Sequence, residues 1–175
     1  MFKPKSIYCK YAFDIICGFI KTGIKEFNEE YISIPELQQR KGCFVSIHEN
    51  GALRGCIGTI VSYRESLFVE IMENAIAAAT KDPRFRPVGE WELEQIDLSV
   101  DILSEPEKIE SVNELDHKKY GVIVAKGVRK GVLLPNLEGV NSWREQLAIA
   151  KSKAGLSDTP NEELEIYRFS SERYY

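Results

Sequence analysis

Two short runs joined by Asn50-Gly51 constrain this chain more than anything else in it. Cys43-Phe44-Val45-Ser46-Ile47-His48 reads as a strand, and Leu53 to Thr59 reads as its return. Between them Asn-Gly is the strongest short-range hairpin signal, because a tight turn needs residues that tolerate positive φ. A two-residue turn at Asn50-Gly51 sets Cys56 opposite Val45 and Arg54 opposite Ile47. Side chains alternate across a strand, so Arg54 and Cys56 are expected on one face. Phe44, Leu53 and Ile57 are then expected on the core face, and His48 on the face away from Cys56. Gly55 and Gly58 leave the strand unscreened, open to another backbone or to a ligand.

The flanking segments change period. From Ile7 to Thr22, apolar residues recur at Tyr8, Tyr11, Ala12, Ile15, Phe19 and Ile20, the spacing of one helix face, and Gly23 is a natural stop. Pro35 can open a short helical turn. Ser62-Tyr63-Arg64-Glu65 has the form of a capping box ahead of Leu67, Phe68, Ile71, Ala75, Ala78 and Ala79. That helix should end near Lys81, since Pro83 disfavours a helical Asp82. Ile96, Leu98, Val100 and Ile102 alternate with Asp97, Ser99 and Asp101, the pattern of a strand with one solvated face. Ser104 to Glu114 reads as a polar connector. Two strands, Gly121 to Ala125 and Gly131 to Leu134, surround a turn at Gly127 to Lys130. Ser142-Trp143-Arg144-Glu145 opens a helix that ends at Gly155, and Leu164 to Phe169 reads as a last strand. Elements mixed without a strand-helix-strand rhythm indicate an α+β fold, a mostly antiparallel sheet flanked by helices.

A chain of 175 residues buries roughly 70% of its unfolded surface and needs neither disulfides nor metal to fold. With 43% hydrophobic and 29% charged residues it has a soluble, ordered balance. A net charge of -4 and a pI near 5.4 argue against nucleic acid as a partner. Asp14 and Lys10 interrupt the apolar start and no segment reaches membrane-spanning length, so a soluble, cytoplasmic protein is expected. Cys9, Cys17, Cys43 and Cys56 form no C-x-x-C pair, and two histidines give no metal-ligand spacing, so no metal site and no cofactor are expected.

Cys56 is the candidate nucleophile, with Arg54 or Arg84 as the cation able to favour its thiolate; small packed residue is the alternative. Arg54 could present its fork to a carboxylate or phosphate, or form a structural ion pair, for instance with Asp82. Asp82 and Arg84, extended by Pro83, could line a pocket or simply make a rigid turn. Arg129 and Lys130 read as a solvated hairpin tip, His117 as exposed, and Asp97, Ser99 and Asp101 as a solvent-facing side.

Leu53-Arg54-Gly55-Cys56-Ile57-Gly58 closely resembles the six-residue signature of the AMMECR domain family, whose prokaryotic members are called AmmeMemoRadiSam system protein A. Asp82-Pro83-Arg84-Phe85, the strand from Ile96, Gly131-Val132-Leu133-Leu134-Pro135, Trp143, Lys153-Ala154-Gly155 and Tyr167-Arg168-Phe169 follow in the family's order, so the resemblance covers nearly the whole chain. The chain departs from it at Asn136, commonly Gln, and at Asp158-Thr159-Pro160, where many relatives carry Trp. The resemblance implies one domain of two unequal lobes, the larger from both chain ends and the smaller from an internal segment, with the signature near the cleft between them. It also implies association with a Memo-type, dioxygenase-like protein and a radical SAM protein; some relatives are fused to the Memo-type domain. Two roles follow as expectations. One is an accessory or regulatory subunit of those partners. The other is an enzyme whose cleft around Cys56, with Arg54, Gly55, Gly58, Asp82 and Arg84 as binding residues, takes a small anionic or carbonyl substrate.

Overall fold

The structure is a computed structural model that describes residues 3–175. In chain order the elements are α1 (Ile7–Thr22), β1 (Cys43–Glu49), β2 (Ala52–Thr59), α2 (Leu67–Thr80), β3 (Ile96–Leu103), β4 (Glu107–Lys108), β5 (Gly121–Lys126), β6 (Arg129–Leu133), α3 (Trp143–Lys153), β7 (Glu165–Phe169) and β8 (Ser171–Tyr174), with short 3₁₀ turns between them. The chain divides into two compact units, one running to Leu103 and including Glu172–Tyr175, the other Ser104–Ser171. The architecture is α+β, as the mixed element pattern indicates.

In the first unit the sheet order is β2-β1-β3-β8, with β1 antiparallel to both β2 and β3. Cys43, Val45 and Ile47 of β1 and Leu98, Val100 and Ile102 of β3 form the buried face, on which α1 and α2 pack. The α1 stripe is Tyr8, Tyr11, Ala12, Ile15 and Ile16; Tyr11 stacks on Phe68 of α2 with ring centroids 4.9 Å apart. Local chemistry sets the ends of α1. Ser6 Oγ accepts the Cys9 N–H, and Gly23, at φ 73°, returns its N–H to the Phe19 carbonyl.

The expected capping box at Ser62 is absent. The helix begins at Leu67 after Ser66, and Glu70, buried inside it, accepts from the Tyr63 and Arg64 N–H groups and from the Thr59 and Ser62 hydroxyls. Ser62 therefore serves a carboxylate one turn into the helix rather than the helix end. The solvated face expected for β3 is also corrected: only Asp97 is exposed there, while Ser99 and Asp101 are buried. Arg173 of β8 explains Asp101, donating through Nε and Nη2 at 2.9 and 3.0 Å to its two oxygens.

In the second unit the sheet order is β4-β7-β5-β6, its pairs antiparallel, and α3 packs on β5 and β6. Val122, Val124, Leu133, Leu147, Ala150 and Ile166 are its core. A side chain at Gly131 would collide with the Ala150 carbonyl of α3, so glycine sets the helix-to-strand approach. The predicted strands and helix are present. Ser142 caps α3 through Oγ to the Glu145 N–H. Two short strands escaped the sequence pattern: β4 within the polar connector, and β8, whose Ser-Glu-Arg-Tyr carries no apolar alternation.

Candidate functional site

The hairpin turn forms at the expected residues, with Asn50 at φ 53° and Gly51 at φ 79°. Glu49 faces Ala52 and His48 faces Leu53, but the register then slips by one residue, so that Ile47 faces Gly55 and Ser46 faces Cys56. Arg54 is the extra residue of a β-bulge. A bulge re-aims the side chains around it, and four expectations from the unslipped register fail together. Cys56 lies opposite Ser46, not Val45. Leu53 is 40% exposed instead of buried. Phe44 sits on the Cys56 face, its ring filling the space that a side chain at Gly58 would need. His48, two residues from Ser46 on a strand regular against β3, shares the Cys56 face rather than the opposite one.

Arg54 and Cys56 consequently serve different partners. The buried Arg54 guanidinium donates from Nε to Glu92 Oε1 at 2.8 Å and from Nη2 to Oε2 at 3.2 Å. It also donates to the Arg86 and Pro87 carbonyls at 2.8 and 3.2 Å. The structural ion pair considered for Arg54 therefore exists, with Glu92 as its partner instead of Asp82. Burial pushes the Glu92 carboxyl up, and Arg54, the Gly89 N–H and the Arg86 charge more than offset it, leaving it below the ordinary glutamate value.

Asp82 and Arg84 guard the edge of the sheet. β2 is an edge strand, and the Ser46–Cys56 pair leaves the Cys56 N–H and carbonyl pointing outward. Asp82 Oδ2 accepts that N–H at 2.9 Å, and Arg84 Nη2 donates to that carbonyl at 3.4 Å. Arg84 also binds Asp82 through Nε at 3.0 Å and Nη2 at 2.7 Å. The guanidinium holds the Asp82 carboxyl well below the usual carboxylate range against the upward push of burial, with the Cys56 and Arg84 N–H groups adding to it. Gly55 completes the arrangement, since a Cβ there would overlap the Ala78 carbonyl near the end of α2. Of the two neighbours Gly55 could admit, a backbone occupies the place.

What remains on the Cys56 face is polar. Ser46 Oγ donates to Cys56 Sγ at 3.3 Å. In the adjacent row His48 Nδ1 lies 3.6 Å from Asp97 Oδ1. Beyond Ser46, across the β1–β3 ladder, comes Ser99, whose buried hydroxyl has no hydrogen-bond partner among the described residues. Cys56 and His48 are half-buried. Burial raises the pKa of Cys9 and Cys17, and pushes Cys43 up to about 12. One groove of about 600 Å³ lies beside Cys17 and Trp91, and one of about 370 Å³ beside Trp143 and Arg144. Among the described residues, no group of three or more His, Cys, Asp or Glu could hold a metal ion, and no helix is long and apolar enough to cross a membrane.

The sequence thus pointed to Arg54, Gly55, Cys56, Gly58, Asp82 and Arg84; hydrogen bonds join Cys56, Asp82 and Arg84, while Arg54 pairs with Glu92 and Gly55 and Gly58 lie against Ala78 and Phe44. It missed Glu92, Ser46 and the placing of His48. Glu92 is one of three alternating acids, Glu90, Glu92 and Glu94, and nothing in the local pattern marks it as the buried one.

Comparison with known proteins matches this geometry to a family. The AMMECR1 family profile matches residues 9–174. A Thermotoga maritima protein is 50% identical over 170 residues, covering 95% of this chain and 96% of that protein. Clostridium acetobutylicum CA_C1420 is 45% identical over 174 residues, 98% of this chain, which spans only 36% of the relative's length. The crystal structure of the uncharacterised Pyrococcus horikoshii protein PH0010 superposes with a TM-score of 0.87 at 30% identity, covering 98% of this chain and 91% of that one. With this profile match, its α+β architecture and these relatives, the chain belongs to the AMMECR1 family.

Proposed function

We propose that this domain is an accessory or regulatory subunit, acting in the cytoplasm with a Memo-type, dioxygenase-like protein and a radical SAM protein, as the AmmeMemoRadiSam naming of the family's prokaryotic members implies. The observation that carries the reading is the fate of the signature's charges. Arg54 is spent on Glu92 and two carbonyls, and Asp82 on Arg84 and the Cys56 N–H. The conspicuous ionic groups build the hairpin, which suits a domain that presents a surface to partners. CA_C1420, nearly two-thirds of whose length lies outside the matched region, supports a domain that works joined to other protein. Mixing the three purified proteins at micromolar concentration should give a co-eluting complex on size exclusion. Separate elution with and without reductant refutes the reading.

A second reading, an enzyme with its site around Cys56, is favoured by one specific observation: Cys56, Ser46 and His48 share a face. Of the two substrate classes considered, the carbonyl suits this face. An anion would need a guanidinium that is already engaged, Arg54 by Glu92 and Arg84 by Asp82.

A further inference from the structure

The geometry points to a Cys56–His48–Asp97 thiol site on the polar face of the β2-β1-β3 sheet, taking an uncharged activated acyl group, an ester or thioester carbonyl, as its substrate. This assignment rests on the second reading above and goes beyond it by naming the base, the residue that positions the base and the class of electrophile.

Register supplies the placement. Cys56 and Ser46 are a directly opposed pair of the kind that brings side chains closest, and the 3.3 Å contact from Ser46 Oγ to Cys56 Sγ reflects it. His48 is the diagonal neighbour of Cys56, two residues beyond Ser46 on the same face. Such diagonal Cα atoms are about 7–8 Å apart, within reach of a long side chain or of one bridging water. Asp97, directly opposite His48 on β3, sets its oxygen 3.6 Å from Nδ1, where a small side-chain adjustment would join the two and turn Nε2 toward Cys56.

Ser99 is the independent sign that the face receives something. The residue is 1% exposed, lies next to Ser46 in the row that begins at Cys56, and has a hydroxyl with no hydrogen-bond partner among the described residues. A buried hydroxyl seldom goes without an acceptor, and a polar group of an acyl substrate laid across Ser46 from Cys56 would supply one.

The chemistry balances without an oxidant or a metal. His48 Nε2 takes the Cys56 proton as sulfur attacks the carbonyl carbon, and a C–S bond forms while the carbonyl oxygen carries the negative charge. The oxyanion collapses, the bond to the leaving oxygen or sulfur breaks, and His48 returns the proton to that atom. An acyl thioester on Cys56 remains. Water then attacks it, His48 takes the water's proton and delivers it to the departing Cys56 sulfur, and a carboxylic acid leaves. Asp97 touches no substrate and is a positioning residue.

The test uses the whole chain with p-nitrophenyl acetate as the probe, reading p-nitrophenolate release and acetylation of each cysteine by mass spectrometry. Acetyl should appear on Cys56 well ahead of Cys9, Cys17 and Cys43, and Cys56→Ser should abolish it. His48→Ala should slow it about 100-fold, the lower range of general-base effects, and added imidazole should restore it. His48→Gln, nearer in size, should behave as His48→Ala does without added imidazole. Asp97→Asn should slow acetylation about tenfold, less than a buried triad carboxylate gives because Asp97 is exposed, and Asp97→Glu should recover it. If wild-type Cys56 reacts no faster than glutathione at the same pH, the enzyme reading itself falls. If Cys56 is fast but His48→Gln matches wild type, or imidazole does nothing, the enzyme reading survives and the His48 assignment is overturned.

Discussion

Replacing Arg54 by methionine isolates the part of the hairpin that the fold depends on most. The substitution keeps an unbranched stem of similar reach and removes the guanidinium. Glu92, whose side chain is 1% exposed, then keeps a carboxylate in the interior without its two bonds from Arg54, and the Arg86 and Pro87 carbonyls lose their donors. Removing one member of a buried ion pair costs about 3–5 kcal/mol, because the survivor's desolvation is no longer offset. The two abandoned carbonyls reach water more readily than Glu92 does, and they place the expected loss in the upper half of that range. Glu92→Gln added to Arg54→Met should recover about 1–2 kcal/mol, since a neutral amide is cheaper to bury than a lone charge. The pH dependence discriminates further. In wild type the Glu92 carboxyl sits below its ordinary value, so its contribution is present above that value and is lost as pH falls through the lowered one. In Arg54→Met burial acts on Glu92 with only the Gly89 N–H and the solvent-exposed Arg86, 3.8 Å away, left against it, and protonation relieves the remaining charge. The gap between variant and wild type should therefore narrow as pH drops from neutral toward the acid range. Urea unfolding followed through Trp91 fluorescence in a Trp143→Phe background reports on the unit that holds the pair. A loss under 1 kcal/mol at pH 7, or a loss independent of pH, refutes the reasoning.

Gly55→Ala should destabilise by about 3 kcal/mol in the same assay, because its methyl meets the backbone of α2 rather than a side chain that can turn aside. Gly18→Ala is the opposite case: it lies in α1 with open space around it, and helix propensity should stabilise the protein by about 0.5–1 kcal/mol. Asp82→Asn should cost about 1–3 kcal/mol, chiefly through the weakened bond to the Cys56 N–H, since Arg84 is 55% exposed and its pairing is largely screened. Because the Asp82 carboxyl is held below its ordinary value, wild type should lose stability as pH falls below that value and the asparagine variant less so, read as a smaller acid shift in the urea midpoint.

What the sequence disclosed and what it concealed divide along physical lines. The α1 boundaries, the Asn50-Gly51 turn and the α3 cap were legible because each depends on residues within four positions. The bulge at Arg54 was not. It answers to Glu92, 38 positions away, and one inserted residue reverses which side chains share a face. That slip alone turned His48 from a residue on the wrong side into a neighbour of Cys56. Likewise, Ser62 and Glu65 satisfied a capping pattern, yet buried Glu70 offered the loop's N–H groups and hydroxyls a stronger acceptor. Composition and spacing located the hairpin, and only the pairing revealed what each residue in it faces.

The pairing of Asp101 with Arg173 has a consequence for how the chain is made. The two residues are 72 positions apart, and β8 is the neighbour of β3 in the sheet. At a synthesis rate of about 5–20 residues per second, Asp101 emerges from the ribosome several seconds before its guanidinium. Through that interval β1, β2 and β3 can assemble on the two helices while the β8 edge stands unfilled. The Ser104–Ser171 unit, translated in between, can complete its own core before the first unit receives its last strand. Nascent chains halted before and after Arg173 should then differ in protease resistance within the first unit and not within the second.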